Sequence, residues 1–405
     1  MFTNTGADSA LQKIILTAVI VLVALNLRPI LASVGPLLPA IQQDIALSFK
    51  LASLLTTLPV FAMGLFCLAG YKLAHRFGFN QIIIFSILML VLAAGLRLWA
   101  YNASSLIITA LLAGLGIALI QALMPMVIKS IYGAQHPKIM GLYITGIMAG
   151  AAISASLSPF IEAKYGWKMG LGSWSLLAIL AFVAWMIFKP DARRFLVLEP
   201  DTSNTIATPG LWRNRRSWYL AIFFSLGSSG YVCVLAWLSP YAIEQGFTAT
   251  QAGLMLGLLT AMEVVAGLVF PALSAKNIDR RLILYVLFVL QIIGFGGMAI
   301  RPDISLWLWS AIAGLGIGGI YPMAIIVSMD HHSDSMIAGK LAGFVQGVGA
   351  MIAAIAPWIA GWIRDSSESF SVAWILLAGL GIVGLIMATA FNPQRYNTIY
   401  SHNRS

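Results

Sequence analysis

Charged side chains are scarce in this chain. Asp, Glu, Lys and Arg make up 9% of its 405 residues against 60% hydrophobic, too little polar surface to solvate a soluble domain of that size. Cysteine is scarcer still. Cys67 and Cys233 both fall inside apolar runs with neither disulfide nor metal spacing, so they read as small buried hydrophobes. The five histidines, His75, His136, His331, His332 and His402, lie in loops, at run ends or in the tail. No nucleophile–base pair or metal set converges at one depth, so neither an enzyme nor a bound metal or cofactor is expected. A Gly-x-x-x-x-Gly-Lys-Ser/Thr loop is absent, which excludes ATP-driven work by this chain. Residues 1–12 lack the basic region and short apolar core of a removable signal peptide, and no soluble domain is present that would suit a receptor.

What is present is a succession of apolar runs, each long enough to cross a bilayer as a helix. They fall near residues 14–41, 51–71, 81–100, 104–128, 139–161 and 170–188, then 218–239, 251–274, 282–300, 305–328, 339–363 and 370–391. This predicts an all-α integral membrane protein of twelve helices. Its organisation reads as a six-helix bundle over 1–188, a polar cytoplasmic linker over 189–217, a second bundle over 218–391 and a tail over 392–405. The linker carries Arg193, Arg194, Arg213, Arg215 and Arg216. Most Lys and Arg fall in the loops on that same side, which predicts cytoplasmic termini. Arg97 counts among the few basic residues of the opposite loops. The net charge of +10 follows from this bias, so nucleic acid is not expected as a partner.

The halves repeat. Ala113-Gly114-Leu115-Gly116-Ile117 returns 200 residues later as Ala313-Gly314-Leu315-Gly316-Ile317, and Gly141 with Pro159 returns as Gly339 with Pro357. A parallel six-plus-six repeat accounts for both.

Arg28 breaks the pattern. A guanidinium near the middle of the first run costs about 2.5–3.5 kcal/mol on insertion scales, so it needs water, a counter-charge or a ligand. Val21, Ala24, Leu31, Ala32, Gly35 and Pro39 share its helical face, mostly small residues that suit a cavity wall or close helix packing. Pro29 predicts a bend beside it. Glu263 is the one acidic residue deep in a run, readable as a counter-ion to Arg28 or as a proton site. At the 200-residue offset Arg28 meets Ser228, so the charge belongs to one half only.

The chain resembles the major facilitator superfamily. The loop Leu73-Ala74-His75-Arg76-Phe77-Gly78 follows its Leu-Ala-Asp-Arg-x-Gly pattern with His75 in place of the acid, and Asn277-Ile278-Asp279-Arg280-Arg281 is a degenerate copy. Within the superfamily, several stretches resemble the cyanate transporter family, which also includes carriers of nitroimidazoles. These are Leu25-Asn26-Leu27-Arg28-Pro29, Leu54-Leu55-Thr56-Thr57-Leu58-Pro59, Ile120-Gln121-Ala122-Leu123-Met124-Pro125 and Ala338-Gly339-Lys340-Leu341. The resemblance implies two rocking six-helix bundles with the first, fourth, seventh and tenth helices lining a central cavity. Candidate substrate-binding residues are then Arg28, Asn26, Gln121, Tyr231, Trp237, Tyr321 and Gln346, with Glu263 as proton site. Arg76, Lys129, Asp330 and Lys340 would form a cytoplasmic gate, Asp330 pairing with Lys129 or Arg76 when the carrier faces outward. The expected function is secondary transport of a small anion such as cyanate across a bacterial inner membrane. Protons are a candidate coupling partner, the lipid bilayer is the solvent and the carrier is expected to be a monomer. A neutral or weakly acidic nitroimidazole is the alternative substrate.

Overall fold

The computed structural model describes residues 6–132, 136–189, 210–274, 277–332 and 335–396. Twelve helical spans are long and apolar enough to cross a membrane, and no strand occurs among the described residues. The first span, α1, is broken into Gly6–Leu25, Pro29–Ala32 and Val34–Asp44. It is followed by α2 (Phe49–Phe77), α3 (Phe79–Leu96, extended by the 3₁₀ turn Arg97–Trp99) and α4 (Ala103–Tyr132). Then come α5 (His136–Tyr165) and α6, in two pieces, Trp167–Gly172 and Trp174–Phe188. The second half contains α7 (Arg215–Glu244), α8 (Ala249–Ser274), α9 (Arg281–Ile300) and α10 (Pro302–Asp330). It ends with α11, in two pieces, Ser335–Ala353 and Ala356–Ser367, and α12 (Ser371–Ala388). Of the linker, residues 190–209 lie outside the described residues, and α7 begins at Arg215, inside the segment read as linker.

The repeated glycines explain how each half packs. A Cβ on Gly114 would lie 2.6 Å from Pro59 Cα on α2, and one on Gly314 would lie 2.5 Å from the Leu259 carbonyl on α8. Two residues on, Gly116 meets the Ser86 carbonyl of α3 and Gly316 meets the Gln291 backbone of α9, each at 2.6 Å. Small residues let helix backbones approach where lipid offers no hydrophobic drive. The pentapeptide therefore docks α4 on α2 and α3, and α10 on α8 and α9, in the same way. Between the halves, Gly253 of α8 abuts the Ala155 carbonyl of α5, and Gly64 of α2 abuts Gly347 of α11.

The predicted bend at Pro29 is present as a double break. The N–H groups of Asn26 and Leu27 reach back only to the carbonyls of Val23 and Ala24, at 3.1 and 3.0 Å. A single turn then intervenes before Ser33. Proline removes the donor that would have continued the ladder, and the Asn26 amide caps the loose end through the Leu22 carbonyl at 2.7 Å.

At the termini end, His331 is buried between Arg216 and the returning chain. Its Nε2 accepts from Arg216 Nε at 3.1 Å, its Nδ1 lies 2.6 Å from the Val327 carbonyl, and its ring stacks on Tyr396 at 4.0 Å. Burial, with the Arg216 charge adding to it against the Val327 bond, pushes the imidazole down to about 4.

Candidate functional site

Arg28 lies in the turn between the first two pieces of α1, 5% exposed. Its guanidinium carbon stands 5.5 Å from the ring centroid of Tyr231 on α7, a cation–π distance. Nη1 points at the Met63 sulfur of α2 at 3.7 Å, and Nε is buried without a hydrogen-bond partner. Facing it from α8 is Glu263, equally buried, with neither carboxylate oxygen hydrogen-bonded. The Arg28 charge reaches Glu263, yet among the described residues no ion pair joins them. Gly318 of α10 makes room for the acid: a Cβ there would come within 2.3 Å of the Glu263 backbone.

Three tyrosines complete the surroundings. Tyr143 of α5 and Tyr231 keep buried hydroxyls without partners. Tyr321 of α10 accepts a hydrogen bond from Gln346 Nε2 of α11, whose Oε1 accepts in turn from Cys67 Sγ at 3.8 Å. All three tyrosines lie within electrostatic reach of Arg28. The Tyr321 ring packs on Phe224 at 5.2 Å, but 44% of the residue is exposed. It is held between Phe224 and Gln346, within electrostatic reach of Arg28. Buried donors without partners around one cation form a site suited to a compact anion with hydrogen-bond acceptors.

The opposite end is sealed between the halves. Asp365 of α11 accepts from the backbone N–H groups of Phe49 and Lys50, at 3.1 and 2.8 Å, capping the start of α2. Arg364 Nε pairs with Glu244 at 2.7 Å and lies over the Phe49 ring. Beneath them Phe49, Trp237 and Phe370 pack with centroids 5.2–5.9 Å apart. The two halves are therefore joined at the end away from the termini.

Of the residues expected to bind substrate, Arg28, Tyr231, Tyr321 and Gln346 come together. Asn26 does not join them, because its amide donates to the carbonyls of Leu22 and Leu177, away from the site. Trp237 belongs to the seal, its Nε1 donating to the Pro357 carbonyl at 2.9 Å. Gln121 is half-buried on α4, with no hydrogen bond to this cluster among the described residues. The small-residue face of α1 is packing rather than cavity wall: Gly146 of α5 fits against Val21 and Ala24, and Gly35 fits against α7. Asp330 pairs within its own half with Arg280 at 3.0 Å, while Arg76 and Lys129 are exposed and Lys340 is half-buried. The His75 side chain lies outside the described residues, and the neighbouring Gly78 turns with φ +88°. No group of metal-binding side chains occurs among the described residues.

Two residues escaped the sequence reading. Tyr143 sits on a helix outside the expected first, fourth, seventh and tenth, and an isolated tyrosine gives no signal. Arg97, expected in an outer loop, is fully buried at the end of α3. Its position at the edge of an apolar run allowed either placement, and only the carbonyl it meets across the bundle decides between them.

The sequence model of the Major Facilitator Superfamily matches residues 16–338. The cyanate transport protein of Escherichia coli (strain K12) is 36% identical over 94% of this chain and 98% of its own length. The 2-nitroimidazole transporter of the same organism is 29% identical over 95% and 96%. Among solved structures, a D-xylose–proton symporter superposes with TM-score 0.72 at 14% identity, covering 93% of this chain and 97% of that one. A nucleoside transporter does so with TM-score 0.75 at 11% identity, covering 93% and 99%. At such identities the structural likeness speaks for the fold alone.

Proposed function

We propose, for a chain that belongs to the Major Facilitator Superfamily, that it carries a small cyanate-like anion across the bacterial inner membrane by alternating access. The observation behind this reading is the buried Arg28, set in the break of α1 under Tyr231 and surrounded by hydroxyls without partners. The similarity to a cyanate transport protein supports the same substrate class. With the termini in the cytoplasm, as the bias of Lys and Arg argues, the sealed end is the outer one. One chain supplies the whole site, so a monomer suffices.

In this mechanism the anion docks on Arg28 and Glu263 takes up a proton, so that the loaded site gains no net charge. The two halves then rock about the midplane. Facing outward, the carrier breaks the Asp365 contacts to α2 and lifts Arg364 off the Phe49 ring. Asp330 then leaves Arg280 to pair with Lys129 or Arg76 at the cytoplasmic end, where Lys340 also lies.

Uptake of cyanate and 2-nitroimidazole into proteoliposomes, with and without an inward proton gradient, tests the proposal. Cyanate uptake that is stimulated by the gradient and abolished by Arg28→Ala is the expected result. The second reading, a neutral or weakly acidic heteroaromatic, draws on the three tyrosine rings and on the 29% identical relative. It wins if Arg28→Ala leaves transport of both compounds unchanged.

A further inference from the structure

The membrane-embedded part of the first half buries a second guanidinium that the transport cycle above does not use. Arg97, 0% exposed, lies in the 3₁₀ turn that closes α3. Its Nη1 donates to the Ile30 carbonyl at 2.7 Å and its Nε to Thr109 Oγ1 of α4 at 3.2 Å. The Thr109 hydroxyl is itself held by the Leu106 carbonyl at 2.7 Å. Nη2 is buried with no hydrogen-bond partner, and none of the ion pairs among the described residues includes Arg97. Burying a cation without an acid is costly, so a merely packed position would be better filled by an apolar side chain.

The carbonyl it meets explains the arrangement. Ile30 belongs to the single turn Pro29–Ala32, isolated by a break on either side. The carbonyl of Arg28 accepts from the N–H groups of both Leu31 and Ala32, each at 2.9 Å, which makes this turn one rigid unit. The turn is tied to the piece that follows, since the N–H and the hydroxyl of Ser33 both donate to the Pro29 carbonyl, at 3.1 and 2.6 Å. On its other side Pro29 brings no N–H to bond back to the first piece, so its rotation against that piece is set from outside the turn. Arg97 takes hold of one of its carbonyls, from the end of α3, with a charge-assisted bond. Its fork is fixed at the other prong by Thr109, a two-point geometry that lysine cannot reproduce. The repeat supplies an independent comparison: at the 200-residue offset Arg28 falls on Ser228 and Arg97 on Gly297. The half that has no arginine to aim has no clamp.

We infer that Arg97 is a positioning residue, whose grip on the Ile30 carbonyl fixes the rotation of the Arg28 turn and so directs the Arg28 guanidinium into the site. The inference rests on the reading of Arg28 as the anion-binding residue. It is tested with cyanate as the probe in proteoliposomes, comparing Arg28→Ala, Arg28→Lys, Arg97→Met, Arg97→Lys and the pair Arg28→Lys with Arg97→Met, each checked for its melting temperature in detergent. A misaimed binding group costs between tenfold and a hundredfold. Arg97→Met is expected to raise the KM for cyanate about tenfold with the melting temperature kept, Arg97→Lys to fail to rescue it, and the pair to be no worse than Arg28→Lys alone. An unchanged KM in Arg97→Met, or effects that multiply in the pair, overturns the inference while leaving the anion reading intact. If Arg28→Ala itself leaves the KM unchanged, it is the anion reading that falls. Should Arg97→Met not fold, Thr109→Val removes one prong alone; a KM raised about threefold and masked by Arg28→Lys supports the clamp, and an unchanged KM overturns it.

Discussion

Arg28 and Glu263 confront one another from opposite halves without closing into an ion pair. An acid and a base held in range but apart can each take a different partner, which is what coupled binding of an anion and a proton requires. Glu263→Gln is therefore expected to reduce gradient-driven cyanate uptake to the level seen without a gradient while leaving exchange of internal for external substrate intact. Uptake that still follows the proton gradient would sink that role. Arg28→Lys keeps the charge but loses the planar fork, and should raise the KM about tenfold where a bidentate geometry is used. His331 carries a separate prediction. Its folded-state value of about 4 lies below the ordinary 6.5, so below pH 6.5 the unfolded chain binds more protons than the folded one. Stability is thus full above pH 6.5 and falls as the pH drops from 6.5 toward 4, by about 3 kcal/mol at most. Thermal melts in detergent across that window should show the slope, and His331→Asn should flatten it.

At the scale of the helix, the informative residues are those that interrupt or thin it. The spans were legible because lipid demands about twenty apolar residues in a row, and the break at Arg28-Pro29 because proline lacks a donor. The repeated glycines marked the packing of α4 and α10, but which helices they met depended on the fold. The site was half legible. Charge announced Arg28 and Glu263, whereas Tyr143 and Arg97 matter only through what lies across the bundle. Asn26 and Trp237 misled for the complementary reason: a polar or aromatic side chain in a span needs a partner, and backbone carbonyls satisfied both. Gly318→Val provides a test at this scale. The new side chain would collide with the Glu263 backbone, costing about 1–3 kcal/mol by overpacking and displacing the acid. Lower melting temperature and lost uptake are expected, while Gly339→Ala, with nothing within 4 Å of its Cβ, should leave both unchanged.

For the whole molecule, the contacts at the two ends set the balance between its states. The seal at the far end consists of the Arg364–Glu244 pair, the Asp365 cap and an aromatic cluster, all bridging the halves or bracing the bridge. Asp365→Ala removes the cap and leaves two N–H groups at the start of α2 unsatisfied, a loss of about 0.5–2 kcal/mol for a helix cap, and shifts the population toward the outward-facing state. Cys67, half-buried beside Gln346 in the termini-side half of α2, reports that shift. Its alkylation by a membrane-impermeant maleimide in inside-out vesicles should slow by at most a factor of about two to thirty, the change in the ratio of the two states equivalent to that energy. Unchanged labelling would mean that the cap contributes nothing to closure.

The placement of charge on the two moving halves has an electrical consequence. A full elementary charge carried across the membrane exchanges about 2.3 kcal/mol with the field per 100 mV. Arg28 sits at the break near the middle of its helix and Glu263 near the middle of its own, so both ride close to the pivot and sweep little of the field when the halves rock. The empty carrier should therefore return at a rate almost indifferent to voltage, and a cell could hold a steep membrane potential without stalling it in one orientation.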